Sequence, residues 1–287
     1  MMEKGNISKS ILSITSPGTN LVPDNIELGR NITRRANEYA ADLKRQYPDK
    51  FGFWASLPLP DVEGSLAEID YALDELNADG VAVLTNAHGT YLGDSALDPV
   101  FEALDKRNAI VFVHPTSPCN KSGEPAIPVP QYPAPMFEFF FDSARAMINM
   151  FMSGAIAKVP NLKIIMSHAG GALPPLIPRF SNFPPALLPQ PVNITLNDVK
   201  ETIKNQFFFD LAGMSFPEQI QGLLPFVDDQ QLLYGSDYPF TPEESALAIG
   251  TLINNEMGNI FPQEESRQAI YHRNAEKLLG MKSGCPR

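Results

Sequence analysis

The stretch AIVFVHP, Ala109 to Pro115, runs through five consecutive apolar residues and stops on a histidine and a proline. A strand with one wet face would alternate, whereas this one leaves no position for water and reads as buried on both faces, the pattern of a parallel sheet. The same grammar recurs along the chain. SILSIT (10 to 15), FGFWASLP (51 to 58), GVAVLT (80 to 85), KIIMSH (163 to 168), FFFDLA (207 to 212) and LLYGSD (232 to 237) bring the candidate strands to seven. Between them lie helical periods such as Leu66, Ile69, Leu73 and Leu76, whose spacing of three and four puts them on one face. Strands alternating with helices give an α/β fold around a parallel sheet. An open doubly wound sheet is the simplest version, but no glycine-rich phosphate fingerprint follows the first strand.

Composition sets the frame for function. The 287 residues, 44% of them hydrophobic, suit one domain spanning 1–287 with a substantial core. No apolar run reaches the ~18–20 residues of a membrane span, and the N-terminal residues show no signal-peptide core. These features predict a cytoplasmic protein with no membrane partner. Two cysteines, Cys119 and Cys285, are too few for a disulfide framework and read as ordinary thiols. A formal charge of −11 argues against nucleic acid as a partner, because such binding depends on Lys and Arg neutralising phosphates.

The strand ends carry the chemistry. His114, His168 and Asp237 each stand at the C-terminal end of a strand. In a parallel barrel these ends share one rim, so residues far apart in sequence converge there. One strand-end histidine is weak evidence, and Asp237 alone could cap a helix starting near FTPEE. Three such residues, in a chain with four histidines, point to a metal or acid–base site, since His plus carboxylate is a usual ligand set for a catalytic divalent ion.

The run DSARAMINMFMSGAIAKVPNLKIIMSHAGGALP, with VFVHP, LLYGSDYPF and the closing NAEKLLG, resembles the aminocarboxymuconate-semialdehyde decarboxylase branch of the amidohydrolase superfamily. Within that branch it is most similar to the fungal 6-methylsalicylate decarboxylases, from about Ile7 to Gly280. The resemblance implies a (β/α)8 TIM barrel of the metal-dependent hydrolase type, one divalent metal (zinc, with manganese the alternative) and no organic cofactor. It implies a small aromatic carboxylic acid as substrate, non-oxidative decarboxylation and a homodimer. It assigns metal binding to His114 and Asp237, proton transfer to His168 or Asp237, and a carboxylate contact across the dimer to Arg179.

One departure bears on activity. The family's first strand ends in a His-x-His pair that supplies two metal ligands, and no His-x-His occurs here. The chain therefore reads as a barrel without its first strand and helix, expected to be aggregation-prone, to bind metal weakly and to have little activity. The alternatives to an active carboxy-lyase are an impaired, truncated homologue or a metal-dependent lactone or amide hydrolase. His88, in NAHGTY, lies on the same rim and reads as a loop or substrate contact, while His272 reads as a surface or packing residue.

Remaining segments suggest supporting roles. The proline-rich loop from Pro115 to Pro135 reads as a semi-rigid lid or dimer contact. FEFFF (137 to 141) reads as helix packing rather than a ligand cage. Arg30, Arg34 and Arg35 read as a solvated helix face, with one of them able to help hold an anionic substrate, and Arg145 reads equally as a structural ion-pair partner. The prolines of PRFSNFPPALLPQP are expected to break any helix and leave Arg179 on a loop.

Overall fold

Seven parallel strands build one sheet. They are β1 (Ser10–Leu12), β2 (Phe51–Ser56), β3 (Gly80–Leu84), β6 (Ile110–His114), β7 (Lys163–Met166), β8 (Phe207–Asp210) and β9 (Leu232–Leu233), hydrogen-bonded in that order. A separate hairpin, β4 (Asn86–Ala87) with β5 (Thr90–Tyr91), follows β3. The computed structural model describes residues 1–120, 122, 124–188, 192 and 194–281. Cys285 and part of the 178–191 segment lie outside them.

The continuous apolar runs are explained by two separate cores. Inward residues Trp54, Ala82, Ile110, Ile165 and Leu233 pack together with Phe112 and Phe208, and Leu278 and Leu279 seal that cluster at its edge. Alternate residues, among them Phe53, Val81, Val111, Ile164 and Phe209, face outward into a larger core beneath the helices. Because both faces are apolar, neither could be spared for solvent, and parallel pairing follows. The curl of this sheet, with helices outside it, is the α/β barrel-type architecture expected.

The helices between and after the strands are α1 (Ile26–Gln46), α2 (Val62–Asp70), α3 (Asp98–Asp105), α4 (Glu138–Met152), α5 (Leu173–Ser181), α6 (Leu196–Gln206), α7 (Glu218–Leu223), α8 (Glu243–Ile260), α9 (Glu264–Gln268) and α10 (Asn274–Leu278). Asp61 shows how they are fixed. Its carboxylate caps α2 at Gly64 N and takes a bidentate fork from Arg30 on α1, at 2.5 and 3.0 Å. Arg34 binds Glu68 at 2.9 Å and lies over the Tyr71 ring. Thus Arg30 and Arg34 are inter-helix clamps rather than a solvated face, and only Arg35 is simply exposed.

The strands are shorter than the apolar runs, most of all at the two edges. Among the described residues β1 and β9 do not pair with each other, so the sheet is open between them. Beyond Leu233 the chain leaves the ladder: Tyr234 N donates to Ile270 O at 3.2 Å, and Asn274 Nδ2 donates to Leu232 O at 2.9 Å. The C-terminal helical segment therefore satisfies backbone groups on the outer side of β9, one of the usual ways of protecting a sheet edge.

Candidate active site

The C-terminal ends of the strands bring His114, His168 and Asp237 together. One ligating atom from each lies within 4.8 Å of the others. His114 Nε2 is 3.9 Å from Asp237 Oδ1 and His168 Nε2 is 3.9 Å from Asp237 Oδ2, so each carboxylate oxygen faces one imidazole. The two rings meet edge to face with centroids 5.3 Å apart. Among the described residues this is the one such cluster of metal-ligating side chains.

Local structure explains the aim of each group. His114 is the last residue of β6, and its Nδ1 pairs with the Pro115 carbonyl at 2.7 Å. A carbonyl can only accept, so Nδ1 carries the proton and the Nε2 lone pair points into the cluster. His168 follows β7 with φ +54°, a left-handed conformation that costs a non-glycine residue about 1–3 kcal/mol and concentrates at functional sites. Three bonds hold it there. Its N–H donates to Asp210 Oδ1 at 2.9 Å, its carbonyl accepts from Gln219 Nε2 at 2.7 Å, and Gly171 N donates to that carbonyl at 2.9 Å. A side chain at Gly171 would run into the Phe140 carbonyl, which lets α4 approach the turn closely.

Asp237 shares the left-handed backbone, at φ +54°. It does not cap α8, whose first residues lack a side-chain cap; it accepts from the Thr241 hydroxyl at 3.3 Å instead. The carboxylate at the end of this buried run faces two imidazoles.

The electrostatics follow from burial. Desolvation, reinforced by the neighbouring His168, pushes His114 down from 6.5 to about 4. Burial opposes charge on His168 too, but the Asp237 carboxylate 3.9 Å away and the negative charge of Asp210 outweigh it and raise its value. Burial likewise opposes charge on Asp237, yet the imidazoles of His168 and His114, each 3.9 Å from one of its oxygens, hold its value low. Asp210 is buried beneath them, and that burial pushes its carboxyl up.

Phe139 and Phe140 belong to the site, a role the sequence reading of FEFFF missed. Phe140 stacks on His168 with centroids 5.7 Å apart, and Phe139 packs edge-on against His114 at 6.1 Å. Their place in α4 before the buried Asp142 was readable; their contact with two histidines from other strands was not.

The other candidates stand apart from this cluster. His88 occupies the β4–β5 turn at φ +50°, followed by Gly89 at +82°, and its Nε2 contacts the Asn20 carbonyl at 2.8 Å. Arg179 is exposed on the last turn of α5, which runs through Pro178; the expectation of a helix-free loop there is corrected. Pro174 and Pro175 fall in the first turn, where a missing N–H costs nothing, so one interior proline is all the helix must absorb. His272 binds Glu276 and Gln268 within its own helical segment. In the segment after β6, Cys119 and Pro125 form an isolated antiparallel bridge. Arg145 is an ion-pair partner, 3.5 Å from Asp142 and 3.9 Å from Glu138. It also lines a cleft of ≈ 680 Å³ shared with Tyr91, Cys119 and Asn149, outside the histidine cluster.

A family profile described as amidohydrolase matches residues 14–281. The chain belongs to the amidohydrolase family. It is 34% identical over 265 residues to a 6-methylsalicylic acid decarboxylase of Penicillium expansum, covering 91% of this chain and 79% of the relative. A crystal structure of an amidohydrolase II superposes with TM-score 0.84 at 32% identity, covering 97% of this chain and 86% of that one. The crystal structure of a Polaromonas sp. JS666 dihydroxybenzoic acid decarboxylase, with bound manganese and 2-nitroresorcinol, superposes with TM-score 0.80 at 21% identity, covering 97% and 83%. At that identity the last match speaks for the fold. Among the described residues no helix is long and apolar enough to cross a membrane.

Proposed function

We propose that this chain is a metal-dependent, non-oxidative carboxy-lyase that removes carbon dioxide from a small aromatic acid such as 6-methylsalicylate. The observation that carries the reading is the convergence of His114, His168 and Asp237 on one point at the strand ends, in a chain related to aromatic-acid decarboxylases. The donor set suits a divalent ion: a neutral imidazole with its Nε2 lone pair free, a carboxylate, and a second imidazole beside them. We assign His114 and Asp237 as ligands. Zinc is the ion we favour, with manganese the alternative. Once bound, it supplies positive charge to orient and neutralise the substrate carboxylate and a neighbouring phenolic oxygen.

The remaining work falls to the chain's own groups. Decarboxylation of an aromatic ring needs a proton on the ring carbon that bears the carboxyl group. The bond from that carbon to the carboxyl carbon then breaks, carbon dioxide leaves, and the bonding pair restores the aromatic ring. We assign delivery of that proton to His168 Nε2, a reading supported by the Asp237 carboxylate 3.9 Å from it. Phe139 and Phe140 pack against the imidazoles and keep them in position. Arg179 is exposed and available to hold a substrate carboxylate across a homodimer, where its planar fork would bind both oxygens. His88, on the β4–β5 turn with its Nε2 against the Asn20 carbonyl, is assigned as a loop or substrate contact through its other ring nitrogen.

A second reading, a homologue with impaired catalysis, is favoured by one observation. Among the described residues the cluster offers three ligating groups, one of them His168, which the first reading needs for the proton. The test is direct. The zinc- or manganese-loaded protein is incubated with 6-methylsalicylate, and carbon dioxide and the decarboxylated phenol are measured. Equal release of both supports the carboxy-lyase. Absence of both products, with metal bound at well below one equivalent, supports the impaired reading.

A further inference from the structure

Asp142 is a fully buried carboxylate on α4 that the proposed chemistry does not use. Four donors converge on it. Thr85 Oγ1 and Asn86 Nδ2 (3.0 Å) reach Oδ2, and the Tyr91 phenol and Arg145 (3.5 Å) reach Oδ1. Burial and the Asp142 bond raise Tyr91, keeping its phenol a donor.

The Thr85 contact leads towards the active site. Thr85 stands one residue past β3 and grips the chain on both sides of Pro115: its N–H donates to the His114 carbonyl at 3.0 Å, and its hydroxyl oxygen accepts from Thr116 N at 3.1 Å. The segment between those two bonds carries the Pro115 carbonyl that pairs with His114 Nδ1. A hydroxyl that accepts from a backbone N–H must send its own hydrogen elsewhere, and the Asp142 carboxylate is where it goes. A continuous relay therefore runs from Asp142 through Thr85 and the Pro115 carbonyl to the His114 ring.

We propose that Asp142, acting through Thr85, is the positioning residue that fixes the tautomer and direction of His114. The inference rests on the reading of His114 as a metal ligand. Outer partners of a ligating histidine fix its tautomer and orientation, and their loss typically weakens metal binding by about 10- to 100-fold. Most such partners bond the ring directly. Here the carboxylate acts one step removed, by holding the backbone that holds the ring.

The test compares cobalt(II) affinity, followed by visible absorption, across isosteric variants whose folding is checked by thermal unfolding. Thr85→Val keeps the shape and deletes the relay, Thr85→Ser keeps the relay, and Tyr91→Phe removes a donor from the other Asp142 oxygen. Thr85→Val and Asp142→Asn are expected to weaken cobalt binding by about 10- to 100-fold, with Thr85→Ser and Tyr91→Phe close to wild type. The Asp142→Asn/Thr85→Val double variant should bind no more weakly than the worse single, because both break one relay. Should Asp142→Asn fail to fold, the Thr85→Val and Thr85→Ser pair decides the matter.

A second readout needs no metal. Nitrogen NMR of the His114 ring should show a proton fixed on Nδ1 in wild type and Thr85→Ser, and a mixed or reversed tautomer in Thr85→Val. Unchanged cobalt affinity and an unchanged tautomer in Thr85→Val would overturn the proposal. The His114→Ala control separates the two claims. If it binds cobalt as well as wild type does, the ligand reading is wrong, and the tautomer alone judges the relay.

Discussion

The histidine side of the site and the aspartate side are built differently. His114 ends one interior strand and His168 follows another, each strand paired on both sides, and their side chains are about nine-tenths buried. Aromatic rings, a buried carboxylate and backbone bonds fix both. Asp237 follows a two-residue edge strand, its side chain is 26% exposed, and Tyr238 and Phe240 beside it face solvent. One half is packed on interior strands, and the other stands on a partly exposed loop between β9 and α8. Local stability varies across a fold with its packing, so the aspartate side is expected to be the softer of the two.

The largest effects should ignore this difference. His114→Ala and Asp237→Ala are each expected to lower decarboxylation by about 10²- to 10⁴-fold and to remove bound metal together. Retained stoichiometric metal in both variants would void the ligand assignment. His168→Gln should cost comparable activity while keeping most of the metal. Steady-state rates and metal analysis of one preparation check all three.

Stability should expose the contrast. Phe209, fully buried on β8 and 3.0 Å from where a Gly170 side chain would lie, supports the His168 turn. Phe209→Ala is expected to cost about 3–5 kcal/mol, against roughly 2 kcal/mol for Leu233→Ala on the edge strand. Equal losses in denaturant unfolding would mean the edge is as well packed as the interior. Smaller changes should keep the same order. Gln219→Ala leaves the His168 carbonyl short of a donor and should cost about 1–3 kcal/mol, whereas Thr241→Val, beside Asp237, should cost about 0.5–1.5 kcal/mol.

The subtlest contrast lies within the histidine side. In metal-free protein, ring NMR should show His114 staying neutral down to about pH 4, with His168 titrating above the ordinary 6.5. The signs are opposite. For His114 the unfolded chain takes the proton first, so its contribution to stability is full above pH 6.5 and is lost as pH falls towards 4. For His168 the folded state holds the proton longer, so its contribution is full below pH 6.5 and is lost as pH rises through its raised value. Coincident titration of the two rings would remove the asymmetry.

Much of this was legible in the sequence for a physical reason. Parallel strands buried on both faces cannot alternate, so seven apolar runs are visible, and the polar residues ending three of them mark the cluster that forms the candidate site. Edge positions were the weak point: SILSIT and LLYGSD were read as six residues each, and the ladder uses three and two, because backbone pairing at an edge is decided by neighbours that composition does not reveal. The Asn86–Tyr91 hairpin was missed although His88-Gly89 is a turn dipeptide with both φ positive. Asp142 was invisible as a hub because its partners sit more than fifty residues away, apart from Arg145. The Arg30 and Arg34 clamps were hidden for the same reason: a charge on a helix looks solvated until the facing helix is known.

The most direct test of the central claim is carbon dioxide release from 6-methylsalicylate by one preparation, before chelation, after it, and after zinc or manganese is returned. The expected result is release that stops on chelation and recovers in proportion to metal bound, up to one ion per chain, with His114→Ala and Asp237→Ala slower by at least about 10²-fold throughout. Release that survives chelation undiminished, or that keeps its wild-type rate in either variant, would contradict a metal-dependent decarboxylase built on His114 and Asp237.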